Sequence, residues 1–93
     1  MSIKSFKCKD TRALFDGNRV KRWVNIERPA LRKLTQLDWA AILEDLRVPP
    51  GNRLEALTRD RLGQHSIRIS EQWRVCFVWT ADGSQDVEIV DYH

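Results

Sequence analysis

One break near the middle of the chain, Pro49-Pro50-Gly51-Asn52, limits the fold more than any other feature. Two prolines remove consecutive backbone donors, and the glycine and asparagine that follow favour turns, so neither a helix nor a central strand can run through it. The break separates two kinds of periodicity. Before it, Pro29 suits a first helical turn, and Ala30, Leu34, Leu37 and Ala41 recur at helical spacing with Leu31 widening the stripe. This predicts a helix whose apolar face must be covered. Asp38 is placed to cap a renewed short helix through Ala41, Ile42 and Leu46. Nearer the start, Asp10 can cap a short helix through Ala13, Leu14 and Phe15, with Gly17 and Asn18 as its stop. Residues 3–7 alternate imperfectly and suggest a first strand, and residues 18–22 form a basic connector to Trp23.

After the break the pattern is that of strands. Residues 53–57 read as a short extended piece, followed by a charged loop over residues 58–63. In residues 65–70, Ile67 and Ile69 take one face and Arg68 the other. Residues 73–79 are apolar on both faces beyond Arg74, which predicts a central strand. Asp82-Gly83 is a hairpin signal leading to a last strand over residues 87–91. The economical arrangement is an α+β domain, with an N-terminal strand and helices packed on a mostly antiparallel sheet built around a three-stranded meander.

Ninety-three residues, 42% of them apolar, suffice for one core and one domain over residues 1–93. No run approaches the roughly 20 apolar residues of a membrane span, and the first residues lack the apolar run of a signal peptide, so a cytoplasmic protein without membrane contact is expected. Cys8 and Cys76 are far apart and Cys76 lies in an apolar strand, so both are expected reduced. The four tryptophans are expected in the core, an expectation supported by the alternation of Trp73, Val75, Phe77 and Trp79. Of the 16 basic residues 11 are arginine, on a net charge of +3. Guanidinium groups match phosphate oxygens two at a time, so the bias favours a polyanionic partner.

The residues that could do chemistry cluster in the strand-rich half. Arg68 and Arg74 fall near facing ends of neighbouring strands, the loop before them holds Arg53, Arg59 and Arg61, and the last strand delivers Asp91, Tyr92 and His93. If the meander forms, guanidinium charge and proton carriers meet at one edge of the sheet. Phosphodiester cleavage needs both: arginine stabilises charge added at phosphorus while imidazole or carboxylate moves protons. The 2′-hydroxyl of RNA can serve as the nucleophile without a metal or other cofactor. The two histidines, His65 and His93, lie far apart and no metal-ligand spacing, nucleophile elbow or P-loop occurs. A His65/His93 acid–base pair is conceivable, although an ordinary strand-start histidine is the plainer reading of His65.

Four stretches together resemble the HigB-like branch of the RelE/ParE toxin superfamily. They are residues 50–57, residues 63–68, Gln72-Trp73-Arg74-Val75-Cys76-Phe77, and the terminal Val90-Asp91-Tyr92-His93. The resemblance implies a small bacterial toxin of a type II toxin–antitoxin system, cleaving messenger RNA in the ribosomal A site. It further implies inhibition by a HigA-like helix-turn-helix antitoxin, through which alone operator DNA is bound. By motif, Arg74 would contact the scissile phosphate, His93 would transfer a proton, Tyr92 would orient or stack on the nucleotide, and Asp91 would help hold the site. Arg53, Arg59, Arg61 and Arg68 would line the RNA. Where some relatives carry His and Lys in the Arg-Leu-x-x-Leu-x segment, this chain has Glu55 and Thr58. Glu55 can accept a proton from the 2′-hydroxyl, but loss of an imidazole and a cation implies a slower nuclease. The α-carboxylate beside the His93 ring should raise its pKa above about 6.5, suiting an acid. A toxin of the same fold that binds a protein such as DNA gyrase without catalysis is the alternative. A DNA-binding repressor subunit using the basic segment at 19–22 is less favoured, because no helix-turn-helix pattern is evident.

Overall fold

The computed structural model describes residues 2–91; Met1, Tyr92 and His93 lie outside the described residues, and with them two of the expected site residues. Five strands form one mixed sheet: β1 (Ser2–Ile3), β2 (Glu55–Ala56), β3 (His65–Arg68), β4 (Trp73–Thr80) and β5 (Gly83–Asp91), in the order β1-β5-β4-β3-β2. The meander β3-β4-β5 is antiparallel and β4 is central, as its two apolar faces require. Two strands beyond the meander extend it, β2 antiparallel on β3 and β1 parallel on β5. The result is the expected α+β arrangement.

Two α-helices cover one face of the sheet. The first, α1 (Lys9–Phe15), stops at Gly17, where φ is +96°. The Gly17 and Asn18 N–H groups bond back to the carbonyls of Leu14 and Ala13, satisfying two carbonyls that the helix leaves orphaned. Its start differs from expectation: Cys8 is the N-cap without a side-chain bond, and Asp10 sits in the first turn, where its charge suits the helix dipole. Thr11 Oγ1 accepts from the Ile89 N–H at 3.1 Å, so α1 covers part of the outer edge of β5 that β1 is too short to reach.

The second helix, α2 (Glu27–Trp39), buries Ala30, Leu34 and Leu37 against the sheet, and each leucine contributes about 1.5–3 kcal/mol of burial. Leu14, Trp23, Leu46, Ile67, Val75, Phe77, Val87 and Ile89 belong to the same core. Ala41, expected in the stripe, is exposed, because the helix ends at Trp39 and Ala40 turns inward instead. Asp38 caps no second helix; its Oδ1 accepts from the Ile3 N–H at 2.9 Å and ties β1 to α2. The 3-10 turn at Leu43–Arg47 is capped by Asp45, whose Oδ2 accepts from the N–H groups of Ala41 and Ile42. Trp39 corrects the expectation for the tryptophans, being exposed on the outer side of α2.

The hairpin and the first strand are also shifted. Thr80 pairs with Gly83, so the loop residues are Ala81 and Asp82, and the glycine belongs to β5. Its need for φ +137° comes with a close approach: a Cβ there would lie 2.1 Å from the Ser2 carbonyl oxygen. Within β5, Cys76 pairs with Glu88 but Val78 with Gln85, so Asp86 and Val87 together oppose Phe77. This bulge puts Asp86 at φ +53°, and its N–H bonds to Ser5 Oγ at 2.9 Å. The expected strand at 3–7 is therefore Ser2–Ile3 followed by an isolated bridge from Phe6 to Val87.

Candidate active site

Side chains at paired positions in a sheet leave the same face. The register pairs Glu55 with Ser66, Ser66 with Cys76, Arg68 with Arg74, and Cys76 with Glu88, so these six share the face turned away from α2. Ile67, Val75, Phe77 and Ile89 alternate with them and face the helices. An arginine in the middle strand is thereby placed at the centre of a polar face whose reverse is the hydrophobic core.

Arg74 is buried, and taking a cation out of water costs several kcal/mol unless its donors are met. Here they are. Nε donates to Ser66 Oγ at 2.8 Å, and Nη2 donates to the Arg53 carbonyl at 2.7 Å and, at 3.4 Å, to that of Ser66. Glu55 Oε1 lies 3.5 Å from Nη2; the Arg74 side chain is 7% exposed against 46% for Glu55, so the acid sits at the mouth and the guanidinium behind it. The Arg53 carbonyl is available because Arg53 adopts a left-handed backbone, φ +46°, at the end of the 3-10 turn Pro50–Asn52. The Pro-Pro-Gly-Asn break thus has a second use, to aim a backbone oxygen at Arg74.

Two open cavities flank this pair. One, of about 230 Å³, is lined by Arg53, Arg68, Ser70, Glu71 and Arg74. The other, of about 260 Å³, is lined by Glu55, Ala56, Leu57, Thr58 and Arg61. Arg61 Nη1 donates to Gln64 Oε1 and Glu88 Oε2, both at 3.1 Å, and Lys7 approaches the same Glu88 oxygen at 3.6 Å. A third cavity, of about 400 Å³ between the end of α1 and the start of α2, shares no residue with either.

The expected site residues divide into three groups. Arg74, Glu55, Arg53, Arg68 and Arg61 converge on the two cavities. Arg59 stands apart, exposed in a left-handed conformation, φ +55°, in the 3-10 turn Arg59–Arg61. Asp91 reaches the same end of the sheet but pairs with Trp73, so it leaves the face opposite to that of Arg74, and its Oδ2 accepts from Gln72 Nε2 at 3.1 Å. Tyr92 and His93 lie outside the described residues. His65, opposite Phe77, stacks on that ring at 6.3 Å on the helix-facing side, away from Arg74.

Sequence reasoning missed Ser66 and the Arg53 carbonyl. A serine in a strand carries no signature of its own; only its place directly beside Arg74's strand makes it a ligand of the guanidinium. Cys76, the neighbour of Ser66 on this face, has its thiol pKa raised by burial first, with Glu88 and Glu55 adding to the rise while Arg61 and Arg74 oppose it. It is an inert part of the floor.

Fold and site together define a small α+β domain that holds a buried guanidinium between two arginine-lined cavities on the face of its sheet turned away from α2. The sequence matches, over residues 4–93, the family described as the RelE-like toxin of the type II toxin–antitoxin system HigB. It is 40% identical over 76 residues to Toxin HigB-1 of Vibrio cholerae serotype O1, an alignment covering 80% of each chain. The chain belongs to this family of HigB-like toxins, and membership of a type II system implies a cognate antitoxin protein as partner.

Proposed function

We propose that this toxin is an endoribonuclease that cleaves messenger RNA in the ribosomal A site and so stops translation. The observation that carries the reading is Arg74, a guanidinium fixed at several points on the polar face between two arginine-bearing cavities. A preset cation aimed at developing charge needs no reorganisation when the reaction occurs, which is where enzymes gain most. In the proposed step the 2′-oxygen attacks phosphorus and the bond to the 5′-oxygen breaks, leaving a 2′,3′-cyclic phosphate and a 5′-hydroxyl. Glu55 takes the 2′-hydroxyl proton, Arg74 meets the phosphoryl oxygens, and His93 protonates the leaving 5′-oxygen. Tyr92 orients the nucleotide and Asp91 steadies that end of β5. Arg53, Arg59, Arg61 and Arg68 hold neighbouring phosphates.

The toxin would act in the cytoplasm, where its ribosomal target is; among the described residues no helix is long and apolar enough to cross a membrane. Its antitoxin would be a HigA-like helix-turn-helix protein that carries the complex to operator DNA. Incubating purified toxin with a defined message, with and without programmed ribosomes, and mapping the ends tests the reading. Cleavage only on the ribosome, with a cyclic phosphate upstream and none when the scissile nucleotide is 2′-deoxy, is expected. Growth arrest without any cleaved message would instead favour a toxin that binds a protein target.

A further inference from the structure

The two faces of α2 differ in chemistry. Ala30, Leu34 and Leu37 face the core, and half a turn away Arg28, Arg32, Thr35 and Trp39 form an exposed ridge along about 16 Å of helix. At its end Trp39 is 80% exposed, and the chain folds back so that the Val48 carbonyl accepts from the Gln36 side chain. That fold-back brings Ile42, 57% exposed, and Val48, 68% exposed, to the same end of the helix. Three of the five large apolar side chains exposed among the described residues are therefore gathered here. Nothing in the described residues covers them.

The charges beside this patch are also unmet. Arg12, Arg19, Arg22 and Arg47 each have a carboxylate within 4 Å, whereas Arg28 and Arg32, one helical turn apart on the ridge, have none among the described residues. Exposed aliphatic side chains at the same helix end as an exposed indole suit a protein partner; a nucleic acid backbone would gain nothing from Ile42 or Val48. The Arg74 side has the opposite character, with arginine lining its cavities. A protein partner is required by the family to which the chain belongs.

We propose that the cognate antitoxin docks an amphipathic segment along this ridge. Its apolar side chains cover Trp39, Ile42 and Val48, and two of its carboxylates, one turn apart, meet Arg28 and Arg32. The docked segment leaves the helix-free face of the sheet open. This assignment rests on the toxin–antitoxin family and stands whether or not the toxin is a nuclease.

Two experiments on the full-length toxin and the antitoxin encoded with it test the assignment. In the first, calorimetric titration compares the wild type with Trp39→Ala/Ile42→Asp, with Arg28→Glu/Arg32→Glu, and with Arg68→Glu on the other face. The first variant should lose about 30-fold or more in affinity, the loss typical of an aromatic anchor. The second should lose about tenfold and most of the salt dependence, and Arg68→Glu should bind as the wild type does. In the second experiment, hydroxyl-radical footprinting of the wild-type complex requires no variant to fold; Trp39 should be protected from oxidation relative to the free toxin. Equal oxidation of Trp39 in the free and bound toxin would overturn the proposal. So would unchanged affinity of the Trp39/Ile42 variant, whether accompanied by loss in Arg68→Glu or by loss of ribosome binding alone, the latter assigning the ridge to ribosomal RNA.

Discussion

Ser66 determines how rigidly Arg74 is held, since its hydroxyl receives Nε and its carbonyl receives Nη2. Ser66→Ala leaves a buried charged donor short of a partner, which costs about 1–3 kcal/mol of stability. If the toxin is a nuclease, Ser66→Ala should lower its cleavage rate more than RNA binding, and Ser66→Thr, which keeps the hydroxyl, should recover most of the rate; single-turnover and equilibrium binding measurements separate the two. Cys76 gives a prediction about proton chemistry. Its raised pKa lowers the thiolate fraction at neutral pH, and the thiolate is the nucleophile, so iodoacetamide should label half-buried Cys8 and spare Cys76 until the protein is unfolded. Mass spectrometry of the native and denatured protein reads this directly. Among these residues Arg74 was legible, because a charged residue in an otherwise apolar strand must have a reason to be there. Ser66 was not, since its role exists only through the β3–β4 register. Trp39 was legible in principle: helical spacing puts it opposite Leu34 and Leu37, a signal that tryptophan's general preference for cores obscured.

At the scale of elements, short pieces hold the ends of the sheet. β1 has two residues and is kept parallel to β5 by its bonds to the β5 edge and by Asp38. Gly83 permits that approach, and a Cβ would strike the Ser2 carbonyl while also straining the backbone, so Gly83→Ala should lower stability by about 2–4 kcal/mol in denaturant titration. A change below about 0.5 kcal/mol would mean that β1 moves aside easily. The meander could be read from the sequence because each strand has enough residues to show a period or an apolar run. β1 could be read only approximately and β2 only as an extended piece, since two residues carry no period. The β5 bulge was hidden for another reason: Asp86 takes φ +53° to bond Ser5, eighty-one residues away in sequence, and no local pattern announces such a partner.

Over the whole molecule, chemistry is segregated by side. The helices and the sheet share one core, the face turned away from α2 gathers Arg53, Arg61, Arg68 and Arg74, and the C-terminal end of α2 with the chain that follows it exposes Trp39, Ile42 and Val48. The sequence led to arginines of the strand-rich half meeting at one sheet edge; they meet instead on a face, around the central strand β4, and the membership also differs, since Asp91 leaves the other face and Arg59 lies outside both cavities. If the arginine side binds RNA phosphates, toxin affinity for programmed ribosomes should fall with salt. Arg53→Ala and Arg68→Ala should each flatten the log–log slope by about one, as expected when one phosphate contact is lost. The nuclease reading depends above all on the guanidinium of Arg74 stabilising charge at the scissile phosphate. The direct measurement is the single-turnover rate of message cleavage on programmed ribosomes saturated with wild-type, Arg74→Lys or Arg74→Ala toxin. Arg74→Ala should fall by about a hundredfold or more, and Arg74→Lys should recover little because one ammonium cannot reproduce the fork held by Ser66 and Arg53. An Arg74→Ala toxin that cleaves within a few-fold of the wild-type rate would remove Arg74 from the reaction.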